Sequence, residues 1–288
     1  MKPVYVFLIG VGSAAAGLLP WIITGLRLPL QNLWATETTD MPIVLLPFSQ
    51  YLLSLLVAVI VIGSAIAGIV LWATGTRPGL AILGVLVVQL FGLVQTALTV
   101  FKGLSVRAES LFYLGALVAG TVVAILLGML VLLLIARSPR AGVVVGVAIA
   151  AVALGPWLNS LVIPFGVVVV PEPLYVVRGI VAVVPPVLVG LAIAWAGIRT
   201  VGRAIAATVA LLLLIVGPTL IIAVSNAAGS RVLAKYPLEM LDYGIGVFRS
   251  ALGIPELWAP TFAIAILTAG LGLIAQRAAA KQRALVSR

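Results

Sequence analysis

Residues 17–30 read GLLPWIITGLRLPL, and residues 153–166 read ALGPWLNSLVIPFG. Each places a Pro-Trp pair near the end of a long apolar run, about half a chain apart. Trp favours the membrane–water interface, and Pro is tolerated within membrane helices because neighbouring groups satisfy the backbone it frees. Two such endings point to a membrane protein built from two related halves.

The composition agrees. Of 288 residues, 64% are hydrophobic and only 8% charged, with a mean hydropathy of +1.33. Soluble domains carry roughly a quarter of their residues charged. An all-α, polytopic integral membrane bundle is therefore the expected fold class. The chain has no Cys and no His, which excludes disulfides, thiolate nucleophiles, imidazole acid–base chemistry and Cys- or His-bound metal. No cofactor and no metal is expected. The net charge of +10 bears on topology rather than on nucleic acid, which is not an expected partner.

The spans follow from where charge is missing, since an ion at mid-bilayer costs roughly 2.5–3.5 kcal/mol on insertion scales. Charge-free gaps of about 20 residues or more fall at 3–26, 41–76, 78–101, 110–136, 141–171, 179–198, 204–230 and 257–276, so about eight spanning helices are expected. The apolar run in 1–26 exceeds the 7–15 residues of a signal-peptide core and is read as a span. In 41–76, Pro42 and Pro47 assign the first part to a loop or short interfacial piece, with helix from about Tyr51 to Ala73. In 141–171 the helix is expected to stop near Pro164, and the apolar connector after it leaves a re-entrant segment open at 161–171.

Basic residues set the orientation. With the N-terminus inside, Lys2, Arg77, Arg137, Arg140, Arg199, Arg203, Arg277, Lys281, Arg283 and Arg288 fall in short inner segments or the tail. All seven acidic residues (Glu37, Asp40, Glu109, Glu172, Glu239, Asp242, Glu256) fall in the outer ones. Both termini are expected in the cytoplasm of a bacterium, with the chain in its inner membrane. The excess of Arg over Lys and of Ala, Val, Leu and Gly resembles high-GC bacterial composition.

The organisation expected is a 4+4 parallel repeat: 1–140 as the first half, 141–276 as the second, and 277–288 as a basic cytoplasmic tail. Trp72 before Arg77 matches Trp195 before Arg199, as Pro20-Trp21 matches Pro156-Trp157. In the second half, residues 237–252 carry Leu238, Leu241, Ile245, Phe248 and Leu252 at helical spacing, the pattern of an amphipathic helix along the outer surface. The Pro185-Pro186 pair predicts a kink or unwinding near Ala182–Pro186.

No ionisable residue stands near the middle of any span, which argues against a proton or metal-ion transporter. The neutral polar residues Gln95, Thr99, Asn159, Thr219 and Asn226, with the outer carboxylates Glu37 and Asp40, are the candidate substrate-binding set. Each in-membrane member reads equally as interhelical hydrogen bonding. The reading favoured is a transporter or flippase-like protein for a neutral or amphiphilic substrate, a lipid or glycolipid. The alternative is a non-transporting subunit or assembly partner of another membrane protein. A polyprenyl-linked glycosyltransferase using Glu37 or Asp40 is the weaker third, because no metal-binding carboxylate cluster or nucleotide motif accompanies them.

Overall fold

The structure is a computed structural model that describes residues 2–31, 33–35, 40–165, 170–230, 233 and 236–286. The chain is 81% helical with no strand among the described residues, the all-α bundle expected of it. Seven helices are long and apolar enough to cross a membrane: α3 (Leu53–Thr74), α4 (Gly79–Gly103), α5 (Ala108–Arg137), α6 (Arg140–Val162), α7 (Glu172–Ala196), α8 (Val201–Gly229) and α10, apolar over Ala259–Gln282 and helical to Val286. The basic stretch from Arg277 thus continues the last helix.

The first apolar run is broken. It forms α1 (Pro3–Gly17) and the short α2 (Leu19–Ile23), separated at Leu18. The cause is Pro20, which has no N–H to continue the ladder and so belongs in the first turn of a new helix. At Pro185-Pro186 the chain does not unwind: α7 is helical throughout from Glu172 to Ala196. Membrane helices tolerate the loss of N–H donors when neighbouring groups take up the freed carbonyls.

Connections of two to four residues join α3 to α4, α4 to α5, α5 to α6 and α7 to α8. The second half repeats the neighbour pattern of the first. In the first, α1 packs against α3 and α4, and α3 packs most extensively against α5. In the second, α6 packs against α7 and α8, and α7 packs most extensively against α10. Across the seam, α6 lies against α3 and α5.

Close approach rests on glycine in both halves. A Cβ on Gly10 would collide with Ala81 O, and one on Gly84 with Phe7 O, so α1 and α4 touch through their backbones. Glycine also sits between α3 and α5, where a Cβ on Gly68 would lie 3.0 Å from Leu132 O, and between α7 and α10, where one on Gly190 would lie 2.7 Å from Ala265 O.

The cores differ in material. The first half buries Trp21, Leu46, Phe48, Leu56 and Ile60 in one cluster. The cluster of the second half is mostly Ala148, Ala151, Ala196, Ala206, Ala207, Ala210, Ala265 and Ala269, with a few Val, Ile and Leu. Burial also differs with position: 67% of the apolar window of α3, which packs against α1, α5 and α6, is buried, against 11% for α10.

The outer amphipathic segment is α9 (Pro237–Leu252), the helix the sequence predicts. Its residues Met240, Gly244, Val247, Phe248 and Ala251 fall on one face by helical spacing and are its less exposed apolar positions. Leu238, Leu241, Ile245 and Leu252 continue the apolar arc and remain exposed.

Candidate functional site

The polar groups of α4 hold a strap. Residues 40–52 run as non-helical chain into the first half and bury Val44, Leu46, Phe48 and Ser49 almost completely. Such backbone survives in an apolar surround only if its N–H and C=O groups find partners. They do. Leu45 N–H donates to Gln95 Oε1 at 2.9 Å, and Gln95 Nε2 donates to Ile43 O at 3.1 Å. Leu46 N–H donates to Thr96 Oγ1 at 3.0 Å, and Trp21 Nε1 donates to Val44 O at 2.9 Å. Gln31 Nε2 donates to Phe48 O and is steadied by the Tyr113 hydroxyl, which donates to Gln31 Oε1.

Of the predicted set, Gln95 and Thr99 therefore come together, with Gln95 Nε2 donating to Thr99 Oγ1 at 3.3 Å and the Thr99 hydroxyl donating to Gln95 O. Their hydrogen bonds go to the strap and to their own helix. Thr219 is buried in α8, and its hydroxyl donates to Ile215 O and Val216 O one turn back. Asn226 is exposed on the same helix, its Nδ2 donating to Ile222 O. Asn159 is half-buried near the end of α6. Asp40 pairs with Arg27 on the exposed surface. Glu37 lies outside the described residues, as does most of the connector at 166–169.

Two features are not in that set. Gln89 is buried in α4, donating to Ile60 O at 3.0 Å and Ser64 Oγ at 3.1 Å, while its own Oε1 has no partner among the described residues. The other is a groove of about 500 Å³ between α8 and α9. Val216, Leu220 and Val224 form its α8 wall, and Met240, Leu241, Ile245 and Phe248 form its α9 wall. None of the predicted polar residues lines it. The signal for this groove was in the sequence: the apolar arc of α9 spans both its covered and its exposed faces, wider than packing against one helix requires.

The groove has the size of a small-molecule site, within the range of about 300–1,000 Å³, and its lining is apolar throughout. It can shelter a hydrocarbon chain and offers no side chain for proton transfer. Trp157, the second Pro-Trp tryptophan, closes the seam instead: its Nε1 donates to Gly17 O at 2.7 Å, across the break between α1 and α2. No protein-family model, curated protein or solved structure matches this chain.

Proposed function

We propose that this multi-pass membrane protein handles an amphiphile, a lipid or glycolipid, by taking an acyl chain into the groove between α8 and α9. The apolar wedge of about 500 Å³ carries the reading. Its walls include Leu220, Val224, Leu241 and Ile245, all substantially exposed, so the groove opens sideways to the bilayer rather than inward to a sealed core. A transporter or flippase-like role is the reading that this opening supports. The duplicated 4+4 organisation is part of the proposal, supported by the repeated neighbour pattern. An inner membrane of a bacterium, with both termini cytoplasmic, is the setting proposed.

The test is a photoactivatable lipid with the reactive group on its acyl chain, incubated with the full chain in vesicles. Crosslinks should concentrate on Leu220, Val224, Leu241 and Ile245, and Gly244→Trp should suppress them. Vesicles reconstituted with the wild-type chain should also move a fluorescent lipid between leaflets faster than Gly244→Trp vesicles. Crosslinks spread evenly over all lipid-facing helices would overturn the reading.

A second reading, a non-transporting subunit, is favoured by one observation: α10 buries only 11% of its apolar window. A crosslinked groove with no lipid movement, together with a stoichiometric protein partner co-purifying through α7 and α10, would select it.

A further inference from the structure

At the end of the bundle where α1 begins, the helices expose basic residues without a single Asp or Glu. Arg77 follows α3, Arg137 ends α5, Arg140 opens α6, Arg199 follows α7, Arg203 lies in the first turn of α8, and Arg277 and Lys281 lie on α10. The described acidic residues, Asp40, Glu109, Glu172, Glu239, Asp242 and Glu256, belong to the segments at the opposite helix ends. The ion pair of Arg27 with Asp40 is at that opposite end, so the arginines here have no carboxylate to meet.

Three of the side chains at this end form an organised unit. Trp72 of α3 and Trp195 of α7 meet edge to face, with ring centres 5.8 Å apart and an interplanar angle of 88°. The Arg140 guanidinium sits 5.3 Å over the Trp195 ring. Trp rings favour the headgroup level of a bilayer, so this stack fixes the depth of the charge. A guanidinium stacked on an aromatic face keeps its edge N–H groups free, and that fork matches two phosphate oxygens. Arg137 stands just across the Ser138-Pro139 corner and adds a second cation.

We infer that this joint binds the headgroup of an anionic phospholipid, with Arg140 and Arg137 on the phosphate and the Trp72–Trp195 pair beside the upper acyl chain. The source is a membrane lipid rather than free phosphate, because apolar helix surface with exposed Trp72 and Leu191 continues directly below the charges. The site straddles the seam, since Trp72 lies on α3, Arg140 opens α6 and Trp195 lies on α7. A bound lipid therefore clamps the halves together. The inference is independent of the α8/α9 groove, which lies at the other end of α8.

The experiment titrates the delipidated full chain in neutral detergent with phosphatidylglycerol or with phosphatidylcholine of the same chains, reading lipid adducts by native mass spectrometry and melting temperature in parallel. Phosphatidylglycerol should add one retained lipid and raise the melting temperature; phosphatidylcholine should do neither. Arg140→Gln and Arg137→Gln should each weaken retention about fivefold, while Arg249→Gln at the far end leaves it unchanged. Equal retention of both lipids, or full retention by Arg140→Gln, overturns the site. Competition by soluble glycerol phosphate would overturn the lipid as its source. Should Arg140→Gln fail to fold, the wild-type chain decides: the preference must fall steeply between about 0.1 M and 1 M salt, and a salt-independent preference overturns the proposal.

Discussion

The two halves stack their helices in the same order and differ in what lies between them. The first half locks bulky side chains, Trp21, Phe48, Leu46 and Ile60, around α3 and threads a non-helical strap through them. The second half brings its helices together on alanine, closely but with little interdigitation. In a bilayer, lipid tails are as apolar as Leu, so helix association depends on packing contacts and hydrogen bonds rather than on hydrophobic transfer. The first half has both in quantity. The second packs as closely but holds no such hydrogen-bonded strap among the described residues, and it is there that the apolar groove opens. A similar packing order therefore accompanies different core material, bulky side chains in one set of helices and alanine in the other.

That contrast can be broken most directly at the glycines. Gly10→Ala forces a methyl into the Ala81 carbonyl and should cost about 3 kcal/mol or more, read as lost folded protein in detergent. Gly270→Ala, in α10 with open space around it, should be neutral or slightly stabilising, since Ala is the better helix former. A large loss at Gly270 would mean that α10 is packed more tightly there than its open surroundings indicate.

The strap gives the next largest effect. Gln95→Leu leaves Ile43 O and Leu45 N–H without their side-chain partner, at about 0.5–1.5 kcal/mol for each bond at these part-buried and exposed positions. Amide exchange at Leu45 should accelerate while α6–α8 amides stay unchanged; unaltered exchange at Leu45 would show that the strap is held by packing alone. Trp157→Phe keeps most of the ring volume but loses the bond to Gly17 O, so about 1 kcal/mol is expected, together with weaker coupling of the halves in an unfolding trace. Smallest is Thr219→Val. Its hydroxyl bonds only its own helix, so stability should stay within about 0.5 kcal/mol, in contrast to Thr96→Val, which strips Leu46 N–H of its acceptor.

The spans were legible because charge is excluded from the bilayer so strongly that its absence alone marks α3 to α8 and α10. The amphipathic α9 was equally plain from its period, and Pro164 does stand just past the end of α6 at Val162. Three features were hidden, each for a physical reason. Pro20 splits the first span because its effect reaches back to the turn before it, whereas Pro185-Pro186 leaves α7 whole; the same residue type has opposite outcomes depending on what surrounds it. Gln95 and Thr99 share a helical face as their spacing requires, but whether that face meets a substrate or a strap depends on residues 50 positions away. The strap left only a faint trace, the alternation of Val44, Leu46 and Phe48, too short to separate from a loop.

The bond from Trp157 to Gly17 O also sets an order of construction. Pro20 breaks the helix at Leu18, Trp21 N–H turns to Leu18 O, and the Gly17 carbonyl receives its tryptophan partner from a residue 140 positions later. A ribosome adding about 5–20 residues per second needs roughly 7–28 s to supply it. During that interval the first helices are inserted but unfinished, and completion of the opening turn waits on arrival of α6.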